Sequence, residues 1–303
     1  MIWANLLHLS CNMWGDREAP DIGEYVTARP YLRFDDDLWR ELLGKMAGAG
    51  MNMVVIDLGD GVRYDSHPEI AVDGAWTVSR LQEELAIARD LGLEPIPKLN
   101  FSTTHDTWLG PYSKCVSTDA YYAVCRDLIA EVCDIFGKPR FFHIGMDEEG
   151  YDCQRNFEYV VIRQFELWWR DLYYLVDQVE SGGSRAWIWS DYLWGHPDEF
   201  FNKMPKTIVQ SDWYYGEAFG ESDAAVRAYT DLESHGYDQI PTGSNFVNAV
   251  NFGLIVPYCR KRIAPERLLG FLQTPWFPTL PACRDHHLRA IEQVRKAKDE
   301  LSL

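Results

Sequence analysis

A basic surplus is the first thing this 303-residue sequence lacks: 29 lysines and arginines stand against 46 aspartates and glutamates, a formal net charge of −17. Such a chain repels phosphate backbones and anionic membrane surfaces, so neither nucleic acid nor membrane is an expected partner. The opening MIWANLLHLSCNMWGDREAP has no basic start followed by an apolar stretch and a small-residue cleavage site, and no apolar run approaches membrane-spanning length. A soluble, cytoplasmic protein is expected, or an exported one whose signal peptide has been removed. There is no CxxC and no Cys/His cluster of zinc spacing. The seven cysteines, Cys11, Cys115, Cys125, Cys133, Cys153, Cys259 and Cys283, are odd in number and widely spaced, and read as free, mostly buried thiols of a reducing compartment. Nor is there a Pro/Gly/Ser-rich linker, a low-complexity tract or a short repeat to divide the chain.

What is present is apolar material for a sizeable core, 47% hydrophobic and 14% aromatic residues, arranged as short β-rich runs alternating with longer helical patterns. Strands are expected at 2–10, 51–58, 93–100, 140–145, 186–191, 206–213, 237–243 and 268–276. Helices are expected at 36–50, 79–92, 119–137, 156–181, 197–203 and 224–236, with a last one from Arg284 onward. Eight strands with intervening helices predict an α/β fold, a (β/α)8 TIM barrel forming one catalytic domain over residues 1–303. A doubly wound sheet is the alternative, and the absence of GxGxxG after the first strand weighs against it.

In such a barrel the chemistry sits where the strands end. Strand one ends in His8, Ser10 and Asn12, strand two in Asp57 and Asp60, strand three in Lys98, Asn100, His105 and Asp106, and strand four in His143, Asp147, Glu148 and Glu149. The later strands end in Asp191 between Trp189 and Trp194, in Gln210, Asp212, Trp213 and Tyr214, in Ser244 and Asn245, and in Gln273 and Trp276. A cup of carboxylates, amides and indoles suits a carbohydrate, whose hydroxyl edges and C–H faces need both. Taken singly, each residue also fits a structural role: a tryptophan in the core, His8 or His143 as hydrogen-bonded core histidines, Asp57 and Asp191 as helix caps.

The stretch FFHIGMDEEG (141–150) is the most telling, because three consecutive acids follow an apolar strand and must repel one another. Glycosidic cleavage needs a protonated acid for the leaving oxygen and a negative group beneath the developing positive charge. Adjacent Asp147 and Glu148 would divide those roles, one carboxylate raising the proton affinity of the other. Both can face one site only where the strand breaks into its loop. Glu149 reads either as a third site residue or as a loop carboxylate turned to water or paired with an arginine.

At these residues the chain resembles the family 20 glycoside hydrolases, the β-N-acetylhexosaminidases, whose fourth strand ends in His-x-Gly-Gly-Asp-Glu; here it reads HIGMDE. The likeness is clearest over residues 38–150, through LLGKMAGAGMNMVVIDLGDG and HPEIAVDGAWTVSRLQEELAIARDLGLEPIPKLNFSTTH, and continues faintly through IVQSDW and FLQTPWF. The resemblance implies that Asp147 orients and charge-stabilises the substrate's own 2-acetamido group while Glu148 is general acid and then base. His105 and His143 would match histidines behind that pair, and Trp189, Trp213 and Trp276 the walls around the terminal sugar. Asp57, Asn100, Asp191, Tyr214 and Asn245 complete the expected substrate-binding set, with no metal and no cofactor.

Several family features are absent. The strand-one arginine has no counterpart in HLSCNMWGD, the third-strand Glu and Asp appear as Lys98 and Asn100, the second motif glycine is Met146, and Asn245 and Phe277 stand near where Tyr-x-Asp and Trp-Ser-Glu motifs would fall. Three alternatives therefore stay open: a glycosidase for a non-acetamido sugar, a non-catalytic glycan-binding barrel, and a metal-dependent sugar isomerase or hydrolase with His143, Asp147, Glu149, His105 and Asp57 as ligands. Trp168 and Trp169 read as core or subunit contact, which leaves a homo-oligomer open.

Overall fold

The strand runs are short and apolar on both faces, as parallel strands covered by helices must be, and the structure bears this out. It is a computed structural model that describes residues 1–18 and 22–301. The barrel strands are β1 Ile2–His8, β2 Met53–Asp57, β3 Glu94–Lys98, β4 Phe141–His143, β5 Arg185–Trp189, β6 Val209–Ser211, β7 Thr242–Gly243 and β8 Gly270–Gln273. All pair in parallel, in the order β6-β5-β4-β3-β2-β1-β8-β7. Between β6 and β7 the ring closes through the bridges Gln210–Gln239 and Trp213–Thr242, with Ile240 N–H donating to the Gln210 carbonyl at 2.9 Å. The fold is a (β/α)8 barrel, as the alternation predicts.

Alternate residues point inward. Ile2, Ala4 and Leu6 of β1, Met53 and Val55 of β2, Ile96, Phe141, Trp187 and Trp189, Val209, Ile240 and Leu272 fill the barrel as one cluster. The register places His8 beside Asp57, Asp57 beside Lys98, and Lys98 beside His143, so four neighbouring strands present ionisable side chains at one level. The indoles of Trp213 and Trp276 close over the cluster above that level.

The surrounding helices are α1 Asp36–Gly48, α2 Val78–Asp90, α3 Asp119–Ile135, α4 Glu166–Ser181, α5 Tyr192–Gly195, α6 Pro197–Lys203, α7 Ala224–Ser234, α8 Asn251–Arg262 and α9 Arg284–Glu300. Asp35, Thr77 and Thr118 cap the first three by accepting backbone N–H groups of the first turn. Two expectations change. The helix expected from 156 starts only at Glu166, because 156–165 is drawn into a loop by Gln154 and Arg163 and Phe165 turns into the left-handed region at φ 54°. The sequence reading has no helix between 243 and 268, whereas α8 lies there; Pro257 inside it and the polar NAVN before it hide its period. Asn248 holds its start, accepting from Val250 and Asn251 N–H.

Trp168 and Trp169 are buried within the chain, so their apolar spacing marks core. All seven cysteines are free, and Cys153 alone among them is exposed. Among the described residues no helix is long and apolar enough to cross a membrane.

Candidate active site

Beyond His143 the fourth strand leaves its extended course. Gly145, Met146 and Glu148 all take positive φ, at 74°, 75° and 55°. Gly145 is dictated by space, because a Cβ there would lie 1.9 Å from Asn100 Oδ1. Met146 occupies without a glycine's freedom a backbone conformation that suits glycine. These turns bring consecutive carboxylates to one place: His105 Nε2 lies 3.1 Å from Asp147 Oδ2 and 3.3 Å from Glu148 Oε2.

The loop after β3 builds the rest of the cradle. Asn100 donates its amide to Asp147 Oδ1 at 2.9 Å. Ser102 Oγ donates to the Asp147 carbonyl, and Thr104 Oγ1 to the Glu148 carbonyl at 2.6 Å. From β5, Asp191 Oδ2 accepts the Glu148 N–H at 2.8 Å. An aspartate in place of Asn100 would need a proton to donate this bond, whereas the amide donates at every pH.

Charge follows geometry. Burial opposes an imidazolium at His105, but the Asp147 charge, with hydrogen bonds to Asp147 and Glu148, overcomes it and lifts the pKa to about 10. Burial likewise opposes the Asp147 charge, and the His105 cation outweighs it, holding that carboxyl at about 2. Asp191 is raised to about 8 by burial and then by the Asp147 charge. A shared cation, the His105 imidazolium, stands between Asp147 and Glu148.

Below this lies the ionisable level of the barrel. Asp57 accepts from the buried Lys98 ammonium and lies 3.4 Å from His8 Nδ1; burial raises its pKa, and these partners bring it below the ordinary value. Asp57 caps no helix and makes its contact with the floor of the site, not its mouth. Burial and then Lys98 push His143 well below its ordinary value, and as a neutral ring its Nδ1 accepts the Gly145 N–H at 3.1 Å. Ser10 and Asn12 are engaged by Asp60.

The aromatic wall is continuous. Trp189 packs on His143 at 4.3 Å and on Trp276 at 5.9 Å between ring centroids, and Trp213 packs on Trp194 at 4.5 Å and on Tyr215 at 5.1 Å. Tyr215 OH accepts from Trp276 Nε1 at 3.0 Å. Tyr214, the tyrosine singled out from the sequence, instead turns away, its hydroxyl on the Ala218 carbonyl and its ring on Phe219. Strand parity could have found this, since Trp213 and Tyr215 share a face and Tyr214 does not. Asn245 donates to the His286 carbonyl at 2.9 Å, which ties it to α9 and not to the Asp147 cluster.

Glu149 is the third acid, and it points down. It accepts from Thr103 N and Oγ1, both at 3.0 Å, and from the buried Arg163 at 2.7 Å, which also reaches Asp171 at 3.1 Å. Arg163, which the sequence reading did not single out, therefore anchors the loop that carries Asp147 and Glu148. With Glu149 and Asp57 committed to cations, the five-residue metal set does not assemble. His105, Asp147 and Glu148 do have ligand atoms within 4.8 Å of one another.

No protein-family model and no curated protein sequence matches the chain. Solved structures do. β-N-Acetylhexosaminidase from Bacteroides fragilis superposes with a TM-score of 0.66 at 14% identity, over 96% of this chain and 65% of that one. The GH20 β-N-acetylhexosaminidase of Streptomyces coelicolor gives 0.66 and 14%, over 96% and 63%. The Vibrio harveyi GH20 exo-β-N-acetylglucosaminidase, solved in complex with N-acetylglucosamine, gives 0.64 and 13%, over 99% and 56%. The chain thus spans less than two thirds of the length of these structures. At such identities the likeness is one of fold: the chain shares the barrel of these β-N-acetylhexosaminidases.

Proposed function

We propose that the chain is a retaining glycoside hydrolase of the β-N-acetylhexosaminidase type, acting on terminal sugars of glycans or glycosides. The single observation that carries this reading is the convergence of Asp147 and Glu148 on His105, within 3.1 and 3.3 Å, under an indole wall at the mouth of the barrel.

In the first step the substrate's acetamido oxygen attacks the anomeric carbon as the glycosidic bond breaks, and Glu148 gives its proton to the departing oxygen. Asp147, kept ionised by His105 and Asn100, accepts the acetamido N–H and balances the positive charge of the cyclised intermediate. Glu148 then takes a proton from water, which opens the ring at the same carbon. Two inversions leave the configuration retained.

The test is a panel of chromogenic β-glycosides of N-acetylglucosamine, N-acetylgalactosamine and sugars with no acetamido group, with a thiazoline analogue of the cyclised intermediate as inhibitor. Hydrolysis confined to the acetamido sugars and blocked by the thiazoline is expected, with Glu148→Gln slower by at least about 100-fold and substrate binding preserved. Activity only on sugars without the acetamido group would move the reading to another terminal sugar, a shift that Lys98 in place of the family's glutamate favours. Silence across the panel would leave a glycan-binding barrel.

A further inference from the structure

Asp191 stands immediately before α5, where an aspartate ordinarily caps the helix, yet it makes no capping hydrogen bond. Its carboxylate instead reaches across to the β4 loop, 43 residues away in sequence, and accepts the Glu148 N–H at 2.8 Å. That peptide is unusual. Glu148 has φ 55°, a left-handed backbone that costs a residue with a side chain about 1–2 kcal/mol and persists only where its surroundings over-determine it. Thr104 Oγ1 holds the Glu148 carbonyl at 2.6 Å, so Asp191 and Thr104 grip the residue at its two ends.

We infer that Asp191 is a positioning residue: by accepting the Glu148 backbone N–H it fixes the peptide from which the Glu148 side chain reaches the leaving oxygen. The inference rests on the reading of Glu148 as the acid and base of a glycosidase. Asp191 touches no reacting atom in this role. Its second oxygen, Oδ1, is buried without a hydrogen-bond partner, so the carboxyl is held in place at a desolvation cost that the surface of α5 does not require. The acidic groups around it are Asp147, Glu148, Asp212 and Cys153. Among so many acids a neutral carboxyl is the form that can hold the peptide without adding repulsion, and burial favours that form.

The experiment compares two β-glycosides of one sugar, a dinitrophenyl glycoside whose leaving group departs without a proton and an alkyl glycoside whose leaving group requires one. For Asp191→Ala, kcat/KM should fall about 10- to 100-fold on the alkyl glycoside, the loss expected when a catalytic group is misplaced by about an ångström, and by less than about threefold on the dinitrophenyl one. Asp191→Asn, which keeps an uncharged acceptor at the same reach, should recover most of the loss. Asp191→Glu, which moves the acceptor out by one methylene, should not. If the alanine variant fails to fold, the Asn and Glu variants carry the same comparison. Equal losses on both leaving groups, or Glu as active as Asn, overturns the inference while the glycosidase reading stands. An inactive wild type overturns both.

Discussion

His105 Nε2 stands 3.1 Å from Asp147 Oδ2, a buried cation against a buried anion. The pair sets a pH window for stability. The pKa of His105 is raised to about 10, so its contribution is complete below the unfolded value of about 6.5 and is lost as pH rises through 10. That of Asp147 is depressed to about 2, so its contribution is complete above about 3.9 and is lost as pH falls through 2. Both act fully between about pH 4 and 6.5. Replacing His105 by Asn should cost about 3 kcal/mol there, the scale for breaking a buried pair. Melting temperatures of the two proteins from pH 2 to 11 should show the widest gap in that window, narrowing beyond it on either side; a gap that does not depend on pH would show that the pair is not ionised.

Much of this was legible in the sequence, and the reason is periodicity. β1 to β8 are apolar runs bounded by turns, and β1 Ile2–His8 is buried at every residue, so the barrel follows from pattern alone. Asp147, Glu148 and His105 were legible because HIGMDE and its context resemble a known motif. α8 was not, because a proline interrupts its pattern and neighbouring asparagines, not an apolar stripe, secure its start. Nor was Arg163 in EYVVIRQF, whose importance comes from Glu149 and Asp171 being brought to it by the fold. Long-range partners of this kind leave no local period to read.

Arg163 leads to a second expectation. Its guanidinium is fully buried and satisfies two carboxylates, the Phe101 carbonyl and Tyr121 OH. Arg163→Met would strand Glu149 as an uncompensated buried charge and leave Asp171 with only Arg170, 3.8 Å away, as a cation, at about 3–5 kcal/mol. Adding Glu149→Gln and Asp171→Asn removes those charges, so the triple variant should regain a large part of the lost stability. Urea denaturation midpoints of the two proteins would measure it, and a triple variant no more stable than Arg163→Met would refute the role given to the pair.

Gly145 offers a sharper one. Its Cβ would fall 1.9 Å from Asn100 Oδ1 and 2.9 Å from Asn100 Cα, and its φ is already unfavourable for any other residue. Gly145→Ala must therefore displace the amide that donates to Asp147. Activity should fall by at least about tenfold even where the variant remains folded, since positioning errors of this size are costly to catalysis. An alanine variant with wild-type turnover would mean that Asn100 is not needed at Asp147.

Met146 runs the other way. Glycine there would relieve about 1–2 kcal/mol of left-handed strain, which on its own predicts a more stable protein. Met146 is buried, however, and its sulfur packs 3.1 Å from Arg163, so removing the side chain forfeits burial and opens a cavity worth about 2–5 kcal/mol. Lost packing outweighs relieved strain: Met146→Gly should lower the urea midpoint, by about 1–3 kcal/mol in stability, although glycine suits this backbone conformation.

The aromatic wall can be tested through two adjacent tyrosines that face opposite ways. Tyr215 OH accepts from Trp276 Nε1 at 3.0 Å and lies 3.3 Å from Thr274 Oγ1, and Trp276 itself sits at φ 56°, so its indole depends on side-chain contacts for its orientation. Tyr215→Phe deletes the acceptor and leaves that indole N–H unpaired in a largely dry environment, a loss of about 1–2 kcal/mol. If Trp276 is a wall of the sugar pocket, the loss should appear as a KM raised by about tenfold, with kcat changed less. Tyr214→Phe removes a hydroxyl bonded only to the Ala218 carbonyl and should leave KM within about twofold. Tryptophan fluorescence supplies an independent reading, because freeing the Trp276 indole should shift emission in the Tyr215 variant and not in the Tyr214 one. A KM that responds to Tyr214 and ignores Tyr215 would place the sugar on the other face of this segment, away from Asp147 and Glu148.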